Sequence, residues 1–243
     1  MKTYGLIGKN IDYSFSRTYF SEKFEREKIS AEYRNFDLAE IDDFPKVFKT
    51  EENPGGYNVT IPYKQTIIPY LDRLDEDARL IGAVNTIKIE DDFSLTGYNT
   101  DYYGFKESLK PFLKQEHTHA LILGTGGASK AVAFALQQLG IEYKFVSRTA
   151  DGEKLSYEQL NEKLLQQYLL IINCTPLGTF PKTAQHPALP FQWIAEQHLV
   201  YDLIYNPTIT ALMKKASEKG ATTVNGLRML ELQAEKAWAI WNS

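Results

Sequence analysis

The chain has 243 residues, with 27 basic and 31 acidic side chains for a net charge of −4, and is 43% apolar and 24% charged. That balance is ordinary for a globular protein. It excludes a disordered chain, a coiled coil and a collagen-like rod, and a pI near 5.7 argues against nucleic acid as the main ligand. The one cysteine, Cys174, leaves no internal disulfide framework and fits a reducing compartment. No apolar run nears the ~20 residues that span a bilayer, and the N-terminus carries neither a long apolar stretch nor a small-residue cleavage site. A cytoplasmic protein without a membrane partner is therefore expected.

In the first hundred residues, strand-like and helix-like runs alternate. Thr3–Ile7, Glu32–Phe36, Tyr57–Ile61, Val84–Ile89 and Leu95–Tyr98 are rich in β-branched and aromatic residues and read as strands. Between them, Arg17–Lys28 puts Phe20 and Phe24 on one helical face. Pro62 suits the first turn of a helix, and Asp72–Leu80 reads as a second helix with an acidic start. From His119 the rhythm becomes strand, helix, strand, helix. Ala120–Leu123 is a strand entering glycines, Ala131–Leu139 a helix closed by Gly140, and Glu142–Ser147 a strand. A helix with a capping box from Ser156 to Gln159 precedes strands Leu169–Asn173 and Leu199–Ile204. Lys214, Lys215 and Lys219 load the end of the next helix before Gly220, and Leu227–Trp241 is the last helix. Such alternation predicts a parallel sheet covered on both faces, hence an α/β protein of two lobes. The join is placed near Asn99–Tyr102, with a ligand expected in the cleft between lobes.

The strongest physical signal is Leu121-Ile122-Leu123-Gly124-Thr125-Gly126-Gly127-Ala128-Ser129. A buried strand enters glycines and then an alanine-rich helix. Gly124 makes the tight turn, Gly126 lets backbone approach a pyrophosphate, and the helix N-terminus meets the phosphate charge. Ser129 stands at the third fingerprint position in place of Gly or Ala. An NAD site wants a carboxylate at the end of the second strand, but Ser147-Arg148-Thr149 offers a guanidinium and two hydroxyls. NADP is favoured over NAD.

Gly56-Tyr57-Asn58-Val59-Thr60-Ile61-Pro62-Tyr63-Lys64 sets Asn58 and Thr60 on one face of a strand, with Lys64 in the first turn of the following helix, against its dipole. A cation so placed is a candidate for chemistry, although many such lysines only face water. Ser14-Phe15-Ser16 presents two hydroxyls, Ala83-Val84-Asn85-Thr86 sits on a strand, and Gly97-Tyr98-Asn99-Thr100-Asp101 brings a carboxylate to the lobe junction.

Together with Asn173-Cys174-Thr175-Pro176-Leu177-Gly178 and Asn225-Gly226-Leu227-Arg228-Met229-Leu230, this order resembles the shikimate dehydrogenase family over nearly the whole chain. The resemblance implies an NADP-dependent enzyme interconverting 3-dehydroshikimate and shikimate. It gives a substrate-binding catalytic domain, 1–101 and 225–243, with the C-terminal helix returning to the first lobe, and a Rossmann-like NADP domain, 102–224. Lys64 and Asp101 are then the catalytic pair. Ser14, Ser16, Thr60, Asn85 and Gln233 become substrate contacts, with Asn58 supporting the pocket and Tyr205 joining them. On the cofactor side stand Gly124, Gly126, Gly127, Ala128, Ser129, Ser147, Arg148, Thr149, Thr175 and Leu203, with Gly226 and Met229 beside the nicotinamide. In such chemistry a lysine delivers the proton to a developing alkoxide, while the aspartate fixes its geometry or binds a substrate hydroxyl. Arg17 stands where the family commonly has proline, and Arg228 where it usually has glycine.

The remaining candidates have plainer readings. Cys174 has no histidine near it in sequence, and His117, His119, His186 and His198 lack metal-ligand spacing, so no metal is expected. Trp238 and Trp241 sit at helical spacing and read as packing. A monomer or homodimer acting on a small molecule, with no nucleic-acid partner, is expected. Quinate or a related cyclic hydroxy acid remains an alternative substrate, a folate-type dehydrogenase shares the layout, and a non-catalytic nucleotide sensor is the different-class rival.

Overall fold

A computed structural model describes residues 1–12 and 14–243. Two compact units emerge, 1–103 with 230–243, and 104–229.

The first unit is built on a mixed six-stranded sheet. Its elements are β1 (Lys2–Gly8), α1 (Phe15–Arg26), β2 (Ala31–Asp37), α2 (Phe44–Thr50), β3 (Pro54–Val59), β4 (Arg73–Leu74), α3 (Glu76–Ile81), β5 (Thr86–Ile89) and β6 (Leu95–Tyr98), after which α4 (Asp101–Leu109) begins. The strand order is β2-β1-β3-β5-β6-β4, with β1 parallel to β2 and β3, and β5 antiparallel to β3 and β6.

The two-residue strand period splits the core. Tyr4 and Leu6 face a cluster with Phe20, Phe24 and Tyr33, whereas Ile7, Tyr57 and Val59 face a second with Phe44, Ile67 and Ile87.

Two sequence expectations fail here. No α-helix follows Pro62: residues 61–67 form a run of turns that ends in a single 3-10 turn, Ile68–Tyr70. The β-branched trio Thr66-Ile67-Ile68 weakens a longer helix, and Pro69, which lacks a donor, sits in the first turn of a short 3-10 piece. The acidic-start helix begins later than Asp72, because Asp75 caps it by accepting the Asp77 amide at 3.1 Å, leaving Arg73–Leu74 as a short strand.

The second unit is an all-parallel sheet. It comprises β7 (His119–Leu123), α5 (Gly127–Gln138), β8 (Glu142–Ser147), β9 (Lys154–Ser156), α6 (Glu162–Gln167), β10 (Leu170–Asn173), β11 (Leu199–Asp202), α7 (Ala211–Ser217) and β12 (Thr222–Asn225). The order β12-β11-β10-β7-β8-β9 runs outward from β7 in both directions, so the chain reverses between β7 and β10, as in a Rossmann sheet. The central strands are fully buried from Ala120 to Leu123, Leu170 to Ile172 and Leu199 to Tyr201, as a sheet covered on both faces requires. The capping box at Ser156 and Gln159 is present, but it caps a single 3-10 turn ahead of α6.

The last helix, α8 (Leu227–Trp241), carries the chain from the second unit back into the first. Ala234, Ala237, Trp238 and Trp241 pack into the Tyr4–Phe20–Phe24 cluster. Trp241 Nε1 donates to the Ile87 carbonyl at 3.0 Å, and its ring lies where a Cβ on Gly56 would stand, 2.3 Å away. The glycine in β3 is what admits the indole.

Candidate active site

In the first unit, Lys64 is set by the turn run after β3, and its carbonyl accepts the Val84 amide at 2.7 Å. That bond ties the lysine to the segment leading into β5. Asp101 is the first residue of α4, where a carboxylate suits the dipole. Asn99 Oδ1 accepts the amides of Asp101 and Tyr102 at 3.0 and 3.3 Å, and its Nδ2 donates to the Ala83 carbonyl at 3.0 Å.

The outcome is a direct contact: Lys64 Nζ lies 2.7 Å from Asp101 Oδ2, with side-chain exposures of 17% and 5%. The ammonium keeps an opening to solvent that the carboxylate lacks.

Asn85, just ahead of β5 rather than on it, is the hub. Its Nδ2 lies within donating distance of Asp101 Oδ1 (2.9 Å), Thr100 Oγ1 (3.0 Å) and Gln233 Oε1 (3.2 Å). Its Oδ1 accepts from the Thr100 amide at 2.6 Å and from the Thr86 hydroxyl at 3.2 Å. So Lys64, Asp101, Asn85 and Gln233 are brought together from four separate segments.

Asn58 is buried and fully engaged, accepting from the Tyr33 phenol at 2.8 Å and donating to the Asn85 carbonyl and Thr86 hydroxyl, both at 3.2 Å. Thr60 lies one residue beyond the end of β3. Ser14 caps α1 by accepting the Arg17 amide at 3.3 Å, and the Arg17 guanidinium donates to the Asp12 carbonyl at 3.0 Å. A proline at position 17 would have no amide to cap. Tyr33 escaped the sequence reading, and Thr86 and Thr100 stood in its motifs without a role; an isolated tyrosine in an amphipathic strand gives no signal of a polar partner 25 residues away.

In the second unit, the glycine turn has the conformation its chemistry needs. Gly124 has φ +97°, in the region that favours glycine, and a Cβ on Gly126 or Gly127 would meet nothing within 4 Å. Open space at those two positions, beside the first amides of α5, fits a pyrophosphate. Ser129 points inward: it is buried, and its hydroxyl donates to the Gly126 carbonyl at 2.6 Å, holding the turn.

Arg148 lies two residues beyond Val146, the partner of Leu123 in the adjoining strand, so it stands at the same sheet edge as the glycines. Its guanidinium is exposed and makes no ion pair among the described residues, because Asp151 is taken by Lys154 at 2.7 Å. Ser147 Oγ donates to the Thr149 carbonyl. With no acid at the end of β8, the residues suit a ribose 2′-phosphate.

Further along that edge, Thr175 donates to Asn173 Oδ1 at 2.7 Å. Gly226 approaches Leu203 so closely that a Cβ would lie 2.0 Å from the Leu203 carbonyl oxygen. Asp202 accepts from Asn173 Nδ2 (2.9 Å), the Ile204 amide (3.2 Å) and the Thr210 hydroxyl (2.6 Å). Burial nonetheless pushes its carboxyl up. Tyr205 follows β11 on this unit, and burial raises its phenol. Burial also pushes the Cys174 thiol up, away from the thiolate a nucleophile needs.

A Rossmann sheet with an open glycine turn and an exposed arginine at its edge, accompanied by a lysine–aspartate pair, defines a nicotinamide-nucleotide-dependent oxidoreductase. The family model described as "Shikimate dehydrogenase substrate binding domain" matches residues 6–87. The chain is 40% identical to the shikimate dehydrogenase (NADP(+)) of Clostridium botulinum, over 99% of this chain and 96% of that one. It belongs to the shikimate dehydrogenase family. Among solved structures, a shikimate dehydrogenase in complex with NADP+ superposes with a TM-score of 0.88 at 35% identity, covering 99% of this chain and 90% of that one. The shikimate 5-dehydrogenase of Thermus thermophilus, in complex with NADP(H) and shikimate, gives 0.87 at 29% identity, covering 99% and 93%.

Proposed function

We propose that the chain catalyses the reversible NADP-dependent reduction of 3-dehydroshikimate to shikimate, in the route to aromatic amino acids. The observation that carries this reading is the 2.7 Å contact between Lys64 Nζ and Asp101 Oδ2, backed by Asn85 on the carboxylate's other oxygen. Residues 1–101 and 225–243 form the substrate domain in this reading, and 102–224 the NADP domain.

The turn at Gly124, Gly126, Gly127 and Ala128 holds the pyrophosphate, with Ser129 bracing it. Ser147, Arg148 and Thr149 hold the 2′-phosphate, while Thr175, Leu203, Gly226 and Met229 line the nicotinamide side. When bound, the reduced nicotinamide supplies hydride to the ketone carbon.

Lys64 Nζ holds the proton that the developing alkoxide takes up. Asp101 Oδ2 accepts a hydrogen bond from that ammonium and fixes its direction, and Asn85 keeps the carboxylate from rotating. Ser14, Ser16, Thr60, Asn85, Gln233 and Tyr205 contact the substrate's carboxylate and hydroxyls. A site built from such partners strongly rejects ligands that leave one unpaired. The protein works in the cytoplasm as a monomer or homodimer, without a nucleic-acid or membrane partner.

The test follows nicotinamide absorbance with shikimate and quinate, each with NADP and NAD. Shikimate with NADP is expected to be fastest; quinate ahead of shikimate, or no turnover with either, overturns the assignment.

A further inference from the structure

The acid–base pair sits at one end of a longer line of hydrogen bonds, and the direction of each bond follows from one fixed point. The Asn85 carbonyl can only accept, so the Asn58 group 3.2 Å from it is the amide nitrogen. Asn58 Oδ1 therefore faces Tyr33, and the phenol must donate to it at 2.8 Å. On the other side, Asn58 Nδ2 donates to Thr86 Oγ1 and Thr86 donates to Asn85 Oδ1, each at 3.2 Å. Asn85 then donates to Asp101 at 2.9 Å, and Asp101 receives Lys64.

We infer that Tyr33 is a positioning residue, which orients the Asn58 amide and, through Thr86 and Asn85, fixes the carboxylate of the Lys64–Asp101 pair. The inference rests on the functional reading above and adds a residue to it. Three features favour a link over incidental packing. The line is buried at Tyr33, Asn58, Asn85, Thr86 and Asp101, where an orphaned polar group is costly. The Tyr33 ring is clamped by Phe20, stacked at 4.8 Å and 12°. The phenol of Tyr57, in the core cluster on the other face of the sheet, is buried too yet has no hydrogen-bond partner among the described residues, so a buried tyrosine in this sheet does not acquire such a partner merely by being there.

The experiment is a double-substitution cycle of Tyr33→Phe and Thr86→Val, read as kcat and KM for shikimate with NADP, with Tyr57→Phe as the control. Tyr33→Phe keeps the stacked ring and removes only the hydroxyl. It is expected to lower kcat/KM about tenfold, mainly through kcat, and the double variant to fall little below the worse single one. Tyr57→Phe is expected to stay within twofold of the unsubstituted protein. The inference is overturned if Tyr33→Phe also stays within twofold, if the two losses multiply, or if Tyr33→Phe abolishes cooperative unfolding, which would mark a purely structural phenol. An unsubstituted protein inert to shikimate sinks the functional reading and this inference with it; an active one with an indifferent Tyr33→Phe sinks the inference alone.

Discussion

Asn85 donates to the oxygen of Asp101 that Lys64 leaves free, at 2.9 Å against 2.7 Å on the other side, so the carboxylate is held from both ends. Asn85→Asp removes that donor and sets a second carboxylate against the first. The Asp101 side chain must then rotate or repel, and Lys64 loses its fixed direction. The variant is expected to retain its fold and lose about 10²-fold in kcat/KM, the size of loss that follows removal of a positioned catalytic donor. Steady-state rates with shikimate and NADP, beside a thermal melt, check this. Near-native rates would show that Asp101 needs no second donor.

Lys64→Ala tests the proposed proton donor. General acid help is worth about 10²–10⁴-fold, so kcat is expected to fall by that order. KM is expected to change less than tenfold, because the hydroxyl and amide contacts to the substrate remain. The split between kcat and KM is the measurement. A fall confined to KM would make Lys64 a binding residue and move the proton elsewhere.

Cofactor choice is predicted to rest on Arg148. Its guanidinium stands exposed at the end of β8 while Asp151 is paired with Lys154. In the proposed site, Arg148→Gln removes a charge-assisted contact to the 2′-phosphate, and it is expected to lower kcat/KM with NADP roughly 10–100-fold. The value with NAD, which lacks that phosphate, is expected to stay within about twofold. Equal losses with both cofactors would place Arg148 outside the phosphate site.

Much of the fold is legible in the chain itself. Leu95–Tyr98, Glu142–Ser147 and Leu227–Trp241 appear with the boundaries their periodicity predicts, because each is a clean pattern bounded by breakers or a terminus. The short β12 strand and α2 carry too few periodic positions to announce themselves. The segment after Pro62 misleads, since Tyr63 and Lys64 permit a helix that Thr66, Ile67, Ile68 and Pro69 oppose. Within the site, Lys64 and Asp101 stand out by residue type and family pattern. Tyr33, Thr86 and Thr100 do not, because a hydroxyl gains its meaning from partners supplied by folding, 14 to 28 residues away.

Gly226 tests the packing of the second unit. Its missing Cβ would lie 2.0 Å from the Leu203 carbonyl oxygen and 2.6 Å from the carbon, both backbone atoms that cannot swing aside. Gly226→Ala must push the turn between β12 and α8 away from β11. Overpacking of this kind costs about 1–3 kcal/mol or more, which in a chain of this size corresponds to a Tm drop of roughly 3–10 °C. A differential scanning measurement with an unchanged Tm would mean that the turn relaxes freely.

His198 gives the pH dependence its sign. Nε2 lies 2.9 Å from the Leu165 carbonyl, and Nδ1 lies 3.1 Å from the Ala195 amide nitrogen and 3.2 Å from the Ala195 carbonyl oxygen. Burial lowers its pKa, with repulsion from His117 acting the same way and the two backbone contacts opposing. The folded protein therefore stays unprotonated at His198 where the unfolded chain, titrating near about 6.5, takes up a proton. Below about pH 6.5 the unfolded state binds more protons, so stability falls as the pH is lowered and is insensitive to this group above about pH 7.5. The limiting slope for one such group is about 1.4 kcal/mol per pH unit. Urea unfolding between about pH 5.5 and 7.5 measures it, and His198→Gln is expected to be less stable at neutral pH but flatter across that range. If both proteins lose stability in parallel on acidification, the titrating group lies elsewhere in the fold.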